Sequence, residues 1–239
     1  MASGTPQVAS GQAAGQSAAA VSAVASLEEP TRRRIYEHVR ACQAPVSRDE
    51  VAEALIVQRR TAAFHLDRLA EQGLLVVSFA RRTGRSGPGA GRPAKLYQRS
   101  PHGLSVSLPP RRYDVVGRLL AGAFVEAQQC GEPPGEVLER RARDLGRALA
   151  REQADTDDTD VLMNLLVTHG YEPWADGGGV VLRNCPFHAL AQEYTELVCG
   201  MNLHLLEGVL GGLGSTGLRA RLDPEPSRCC VRLAHSDKE

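Results

Sequence analysis

Three consecutive stretches decide the fold of the N-terminal half: SRDEVAEAL at residues 47–55, QRRTAAFHLDRLAEQGLL at residues 58–75, and RRTGRSGPGAGRPAKLYQR at residues 81–99. The first two stretches carry apolar residues at helical spacing and are separated by a short turn. The third mixes glycines with cations, which is typical of an exposed hairpin tip rather than of a core. This order predicts a short helix, a turn, a second helix and a β-hairpin.

Local signals place the first two helices of this region. Apolar residues recur at helical spacing between Leu27 and Val39, and Pro30 lies in the first turn, where its missing N–H does least harm. Ser47 and Glu50 form the capping-box pattern, in which each side chain accepts from the other residue's backbone N–H. The pattern therefore predicts that the next helix starts at Ser47.

A further helix and a hairpin follow. The helix spans about residues 58–72 and ends at Gly73, a residue suited to the left-handed conformation that closes helices. Residues 74–80 and 94–99 flank the glycine-rich tip as two strands. Together the three helices and the hairpin predict a winged helix-turn-helix.

The helix over residues 58–72 has one apolar side and one basic, aromatic side. At about 100° per residue, Leu66 and Leu69 fall on the first side, whereas Arg60 and Phe64 face the opposite way. Arginine can bind guanine or phosphate, and an exposed aromatic ring can contact a thymine methyl. The predicted DNA-contacting residues of this helix and of the wing are Gln58, Arg59, Arg60, Thr61, Phe64, His65, Arg68, Arg81, Arg82, Arg85, Arg92 and Lys95.

The uneven distribution of charge supports a nucleic-acid partner, although the formal net charge of the 239 residues is zero. Residues 26–100 carry 14 Lys and Arg against 8 Asp and Glu, while residues 101–239 carry 14 against 20. A basic segment thus precedes an acidic one, and 42% hydrophobic residues is enough for packed cores. We therefore expect double-stranded DNA as a partner of the first half, and a different role for the second.

Composition and periodicity divide the chain into four predicted regions of an α+β protein. Residues 1–25 lack charge and a periodic apolar face, which favours a disordered tail. Residues 26–100 form the winged helix-turn-helix, and residues 101–110 form a linker. Residues 111–239 are predicted as a C-terminal α+β sensor and dimerisation domain, in which Asp176-Gly177 marks a hairpin turn.

The chain lacks an apolar run of about 18 residues and the pattern of a signal peptide. These features predict no membrane partner and a cytoplasmic protein. In a reducing compartment, clustered cysteines favour metal or redox chemistry over a disulfide scaffold. Of the six cysteines, Cys185, Cys199, Cys229 and Cys230 share the last quarter of the chain.

These four cysteines are the predicted metal ligands, with His188 as a possible additional one. Zinc sites usually contain paired C-x-x-C knuckles, which the chain lacks, so dispersed cysteines favour an iron–sulfur cluster over structural zinc. Adjacent strand residues point to opposite faces, so only one of Cys229 and Cys230 is expected to reach a metal, and Cys229 is preferred because it shares a face with Val231 and Leu233. The fourth ligand stays open between His188, an acidic side chain and a small molecule.

The segments TAAFHLDRLAEQGLL and GPGAGRPAKLY resemble the winged-helix regulators of the ArsR/DeoR-like superfamily, in the bacterial group that includes SufR-type repressors. The resemblance runs from about Leu27 onward and implies a [4Fe–4S] cluster in the C-terminal domain and control of iron–sulfur assembly genes. The implied cluster ligands are Cys185, Cys199 and one of Cys229 and Cys230. The chain departs from the pattern at Ile56, where such proteins commonly carry glycine, and in its long interval between Cys199 and Cys229.

The sequence thus predicts a homodimeric, non-enzymatic repressor whose binding to a DNA operator is controlled by an iron–sulfur cluster that serves redox or iron homeostasis. One alternative keeps the regulator but replaces the cluster with zinc or a small organic ligand. A more distant alternative makes Cys185 and His188 the nucleophile and base of a hydrolase or transferase. No glycine-rich nucleophile elbow or orienting third residue accompanies that pair.

Overall fold

The computed structural model describes residues 13–80, 93–152, 159–214 and 217–235. These residues divide into two compact units, Gly15–Val106 and Ser107–Glu239, and the boundary falls within the predicted linker of residues 101–110. Both units combine helices with an antiparallel sheet, which confirms the α+β class. Among the described helices, none has both the length and the apolar character that crossing a membrane requires.

The first unit is a helical core with a small sheet in the order β1-β3-β2. Its elements are α1 (Ala13–Ser26), α2 (Pro30–Ala41), β1 (Val46–Ser47), α3 (Arg48–Leu55), α4 (Arg59–Glu71), β2 (Leu75–Ala80) and β3 (Ala94–Arg99). Strands β2 and β3 pair in antiparallel register from Leu75 opposite Arg99 to Ala80 opposite Ala94. The predicted helices and wing strands are therefore present, with boundaries shifted by one to three residues.

Helix starts in this unit follow the predicted capping chemistry. Pro30 is the first residue of α2, and the Glu29 carboxylate accepts from the backbone N–H groups of Thr31 at 3.0 Å and Arg32 at 2.6 Å. At α3, the Glu50 carboxylate accepts from the Ser47 N–H at 2.7 Å, and the Ser47 hydroxyl accepts from the Glu50 N–H at 3.3 Å. Each bond satisfies a backbone donor that a helix start otherwise leaves unpaired.

The prediction that residues 1–25 form a disordered tail is wrong for residues 13–25, which belong to α1. Alanine has the highest intrinsic helix propensity, and α1 is rich in it. Ala23 is fully buried in the same core as Ile35 and Leu66. A helix with small side chains therefore packs on this unit without the apolar stripe that sequence periodicity detects.

The second unit places a four-stranded antiparallel sheet, in the order β4-β5-β7-β6, beside long helices. Its elements are α5 (Tyr113–Cys130), α6 (Pro134–Arg151), α7 (Thr159–Thr168), β4 (Pro173–Ala175), β5 (Gly179–Leu182), α8 (His188–Glu193), α9 (Thr195–Leu213), β6 (Leu218–Leu222) and β7 (Val231–His235). The core joins strand residues such as Leu182 and Leu233 to helix residues such as Leu206. Cys185 and Cys229 belong to this core.

Candidate DNA-binding surface and cysteine site

Helix α4 is presented to solvent after a tight turn from α3. The turn residue Ile56 adopts the left-handed conformation, with φ 55° and ψ 49°, and its side chain is 94% exposed. Phe64, on the outward side of α4, is 62% exposed. An outward phenylalanine between exposed arginines combines a ring that can contact a thymine methyl with cations that can bind guanine or phosphate.

The inward side of α4 contains one predicted DNA-contacting residue. Ala62, Leu66 and Leu69 are fully buried, and His65 is only 8% exposed beside them. Arg32 donates from Nε to His65 Nδ1 at 3.4 Å, and burial lowers the pKa of His65, which favours the neutral ring that accepts this bond. The prediction that His65 contacts DNA is therefore corrected, because its position along α4 directs the ring toward the core.

The arginines on the outward side are held by weak, exposed partners. Arg59 pairs with Asp49, Arg60 donates to Gln58 Oε1 at 3.2 Å, and Arg68 donates to Glu71 at 3.1 Å. Exposed ion pairs contribute about 0–1 kcal/mol in folded proteins. These guanidinium groups can therefore exchange their present partners for phosphate or base atoms at little cost.

Lys95 ties the wing to α4. Its Nζ lies 2.5 Å from Asp67 Oδ1, and the Tyr97 hydroxyl donates to the same oxygen at 2.6 Å. Burial raises the pKa of Asp67, but the hydrogen bonds from Lys95 and Tyr97 outweigh it and the pKa is lowered. Lys95, which was predicted to contact DNA, thus also has a structural role at the base of the wing. The other predicted wing cations, Arg81, Arg82, Arg85 and Arg92, lie outside the described residues.

In the second unit, four cysteines from three segments form two contacting pairs. Cys185 lies three residues after β5, Cys199 lies near the start of α9, and Cys229 and Cys230 immediately precede β7. Cys199 and Cys230 form a disulfide, whose Cα atoms are 6.2 Å apart. The thiols of Cys185 and Cys229 are free and hydrogen-bonded to each other. The structure therefore brings together the four cysteines that the sequence singled out.

Cys229 and Cys230 do not behave as adjacent strand residues. Strand β7 begins only at Val231, and the two cysteines lie in the bend before it. Strict alternation of side chains applies to extended strands, so it does not separate these thiols. Each finds a partner on α9, since Cys230 bonds to Cys199 and Cys229 accepts a hydrogen bond from Asn202. The strand alternation that favoured Cys229 over Cys230 as a metal ligand therefore does not apply to these two residues.

A buried polar chain supports Cys229. Asn202 donates from Nδ2 to the Cys229 sulfur at 3.2 Å, and the Tyr171 hydroxyl donates to Asn202 Oδ1 at 2.5 Å. Asn202 is 1% exposed and Tyr171 is 3% exposed. A buried amide needs its hydrogen-bond partners, so this chain fixes the side chain of Asn202.

Cys185 is held through its backbone and carries the more acidic thiol of its pair. Arg111 donates to the carbonyl oxygen of Cys185 at 2.9 Å. The hydrogen bond from Cys229 lowers the pKa of Cys185, assisted by the Phe187 N–H and by Arg111 and opposed by burial. The same hydrogen bond, together with burial, raises the pKa of Cys229. Of the two sulfurs, Cys185 is therefore the better thiolate.

The remaining candidate ligand, His188, and the other two cysteines make different contacts from these four sulfurs. His188 is exposed, and only its backbone N–H is bonded to Cys185, at 3.1 Å from the carbonyl oxygen. Cys42 and Cys130 are free. Within the described ranges, no group of three or more His, Cys, Asp or Glu side chains is placed to hold a metal ion.

Comparison with known proteins bears on the first unit. Residues 27–78 match a family model described as a helix-turn-helix domain, and this range covers α2, α3, α4 and the start of the wing. The match indicates a DNA-binding transcriptional regulator and favours the prediction of a non-enzymatic protein, since such regulators are typically not enzymes. Neither the curated proteins nor the solved structures gave a match.

Sequence reasoning missed the polar groups around the cysteines. Asn202 follows Cys199 by three residues in the otherwise apolar stretch of α9, and a lone amide among apolar residues signals a buried partner. Tyr171 and Arg111 gave no comparable signal, because their partners lie 31 and 74 residues away in the chain. Around the helix-turn-helix domain, the Asp67–Lys95 contact was missed for the same reason.

Proposed function

We propose that this protein is a transcriptional regulator that binds operator DNA through α4 and the wing. The observation that carries the proposal is the outward side of α4, within the residues that match the helix-turn-helix model, where exposed Arg60 and Phe64 are four residues apart and share one face of the helix. The first residues of a recognition helix contact base edges, and arginine at this position can donate two hydrogen bonds to guanine. Cations that contact phosphate make such binding sensitive to salt.

We further propose that the regulator is a homodimeric repressor. Helix-turn-helix dimers bind two half-sites about one helical turn apart, so a two-fold operator requires two copies of α4. Repression requires only that the bound dimer occupy DNA that the transcription machinery needs. A DNA-protection experiment combined with sedimentation of the complex tests both points, because a monomer bound to a single half-site would contradict the proposed dimer.

The DNA-binding part is tested by selecting bound sequences from a random duplex library and measuring affinities by fluorescence anisotropy. We expect Arg60→Ala to weaken binding to the selected duplex by about 5- to 150-fold, the loss of one bidentate base contact. Arg147→Ala is the matched control, because Arg147 is also an exposed arginine that bonds to a neighbouring side chain but belongs to α6. Equal affinities for Arg60→Ala and wild type would contradict the assigned surface.

The finer proposal is that Cys185, Cys199, Cys229 and Cys230 hold an iron–sulfur cluster, most specifically [4Fe–4S], that controls operator binding. The support for this proposal is the donor set: Cys229 and Cys230 are consecutive, each contacts one of the other two cysteines, and reduction of the Cys199–Cys230 disulfide would make all four residues thiols. Thiolates are the ligands that such clusters use. A bound cluster would supply a redox-active group that oxidants can attack. Arg111 would hold the Cys185 segment, and Asn202 would donate a hydrogen bond to the Cys229 sulfur.

Anaerobic purification tests this part. We expect absorbance near 400 nm with iron and sulfide in equal amounts, and a loss of both in single Cys→Ser variants at the four positions. Cys130→Ser is the matched control, since Cys130 is free and exposed at the end of α5. The same donor set could bind zinc, and zinc without sulfide would replace the cluster with that alternative. Unchanged iron in all four variants would contradict the metal site while leaving DNA binding untouched.

A further inference from the structure

The four cysteines of the second unit occupy two chemically different states. Cys199 and Cys230 are joined, whereas Cys185 and Cys229 remain thiols in hydrogen-bond contact. Cys229 and Cys230 are consecutive residues, so the two pairs share one segment of backbone. The pairing that is present leaves the more deeply buried neighbour, Cys229, at 4% exposure and unoxidised.

Side chains around Cys229 account for this selectivity. The Asn202 amide donates to its sulfur at 3.2 Å, and the Cys229 thiol in turn donates to Cys185. Tyr171 fixes the amide through its hydroxyl, and its own ring packs edge-on against Phe187 with centroids 6.4 Å apart. The Cys229 sulfur is thereby bonded to both Asn202 and Cys185.

Helix α9 contacts both of the consecutive cysteines, Cys229 and Cys230. Cys199 and Asn202 are three residues apart, so they lie on the same face of α9, one turn from each other. The first offers a sulfur to Cys230 and the second offers an amide to Cys229. One face of α9 thus provides a different partner for each of the two consecutive cysteines.

We propose that Cys199 and Cys230 are a dithiol–disulfide pair that hydroperoxides oxidise, and that Asn202 is a positioning residue that confines the reaction to this pair. One thiolate of the pair attacks the outer oxygen of the hydroperoxide, ROOH, and becomes a sulfenic acid while ROH leaves. The second thiol then forms the S–S bond and displaces water. The two sulfurs lose two electrons, and the O–O bond accepts them.

This chemistry goes beyond the proposed function, although it uses the same sulfurs. Metal ligation requires thiolates, so the disulfide withdraws two of the four ligands and the two states exclude each other. The disulfide also ties α9 to the segment before β7 across 31 residues of sequence. Disulfide connectivity is measured on iron-free protein without DNA, so its result is independent of both parts of the proposed function.

The pairing is tested on the full chain, purified with a chelator, reduced, and exposed to one equivalent of cumene hydroperoxide. Free thiols are blocked with N-ethylmaleimide in denaturant, and linked peptides are identified by mass spectrometry. We expect Cys199 linked to the peptide that contains Cys229 and Cys230, with Cys185 alkylated. The linkage should persist in Cys229→Ser and disappear in Cys230→Ser. The opposite response of these variants, or a linkage through Cys185 in the wild-type protein, would overturn the pairing.

The role of Asn202 is tested by the same mapping. Asn202→Leu removes the amide donor, and we expect linkages through Cys229 to increase roughly fivefold relative to wild type, the population change that one hydrogen bond supports. Tyr171→Phe, which removes only the hydroxyl that fixes the amide, should act in the same direction and decides the result if Asn202→Leu does not fold. Asn164→Leu, at an exposed position of α7, is the control. Wild-type connectivity in the folded Asn202 and Tyr171 variants would show that Asn202 does not direct the pairing.

Discussion

Glycines let α6 and α9 approach each other so closely that a single methyl group should separate them. A Cβ atom added at Gly208 of α9 would lie 2.0 Å from the carbonyl oxygen of Arg143 and 2.8 Å from its carbonyl carbon. Gly146 of α6 is equally close-packed, with a Cβ position 2.0 Å from the carbonyl oxygen of Leu205. These neighbours are backbone atoms, which cannot rotate away as a side chain can.

Gly208→Ala should therefore destabilise the second unit. Alanine gains about 1 kcal/mol over glycine in a helix interior, while overpacking costs about 1–3 kcal/mol and more where nothing can yield. With the cost at its upper end, we expect a net loss of about 1–2 kcal/mol in the free energy of unfolding. Gly200→Ala is the matched control in the same helix, because no atom lies within 4 Å of its Cβ position. It should gain about 1 kcal/mol.

Urea unfolding of the full chain measures the difference. Trp174 is the single tryptophan of the sequence and lies in β4, so its fluorescence reports the unit that contains α6 and α9. With m values of about 1–3 kcal/mol per M, the two variants should differ by about 1 M or more in midpoint, on opposite sides of wild type. A Gly208→Ala midpoint equal to or above that of Gly200→Ala would refute the argument, because α6 and α9 would then separate without cost.

Two further perturbations test single residues. Ile56→Gly should raise the free energy of unfolding of the helix-turn-helix unit by about 1 kcal/mol, because φ 55° strains a β-branched residue and the exposed side chain contributes little packing. A melting temperature below that of Ile56→Ala would contradict this prediction. Burial, with Arg112 nearby, lowers the pKa of His169 to about 4, so the folded chain keeps this ring neutral while the unfolded chain protonates it below about pH 6.5. Stability should thus fall as the pH drops from 6.5 toward 4, and His169→Gln should flatten that slope in urea titrations; equal slopes would exclude His169 as its source.

Signals that act within a few residues were predictable from the sequence. Pro30, the Ser47 capping box and Gly73 each set a helix end through a local backbone constraint, and each end was predicted to within one or two residues. The α1 helix was missed because its stabilisation comes from alanine propensity and from packing of Ala23. Its side chains are too small and too uniform to produce a periodic apolar pattern.

Among the functional residues, too, positions set by local geometry were predictable and those set by contacts between distant segments were not. The outward position of Phe64 and Arg60 follows from helical geometry alone, whereas His65, at the edge of the apolar face, proved to be buried once α2 packed against α4. For the cysteines, residue type singled out the four that lie in two contacting pairs, but the predicted alternation of Cys229 and Cys230 does not apply because strand β7 begins at Val231, two residues later than the pattern suggested. The partners of each sulfur depend on contacts between distant segments, which spacing does not encode.

The backbone around the four sulfurs is fixed from several directions. Gly208 lies nine residues after Cys199, half a turn around α9, so the side that packs on α6 is opposite the side that bears the sulfur. The backbone N–H of Cys229 donates to Leu182 of β5 at 2.9 Å, and the carbonyl of Cys230 accepts from Asp223 at 2.8 Å. Neither α9 nor the segment before β7 is therefore free to shift when the sulfur chemistry changes.

Reversible chemistry at this site then requires only side-chain motion. The Cα atoms of Cys199 and Cys230 are 6.2 Å apart, within the range that a disulfide spans, so reduction leaves the thiols within reach of each other. The same framework keeps Cys185 and Cys229 in contact. Because a preorganised set of sulfurs loses little conformational entropy on pairing or on binding a metal, one backbone frame suits both the proposed disulfide chemistry and the proposed ligand set.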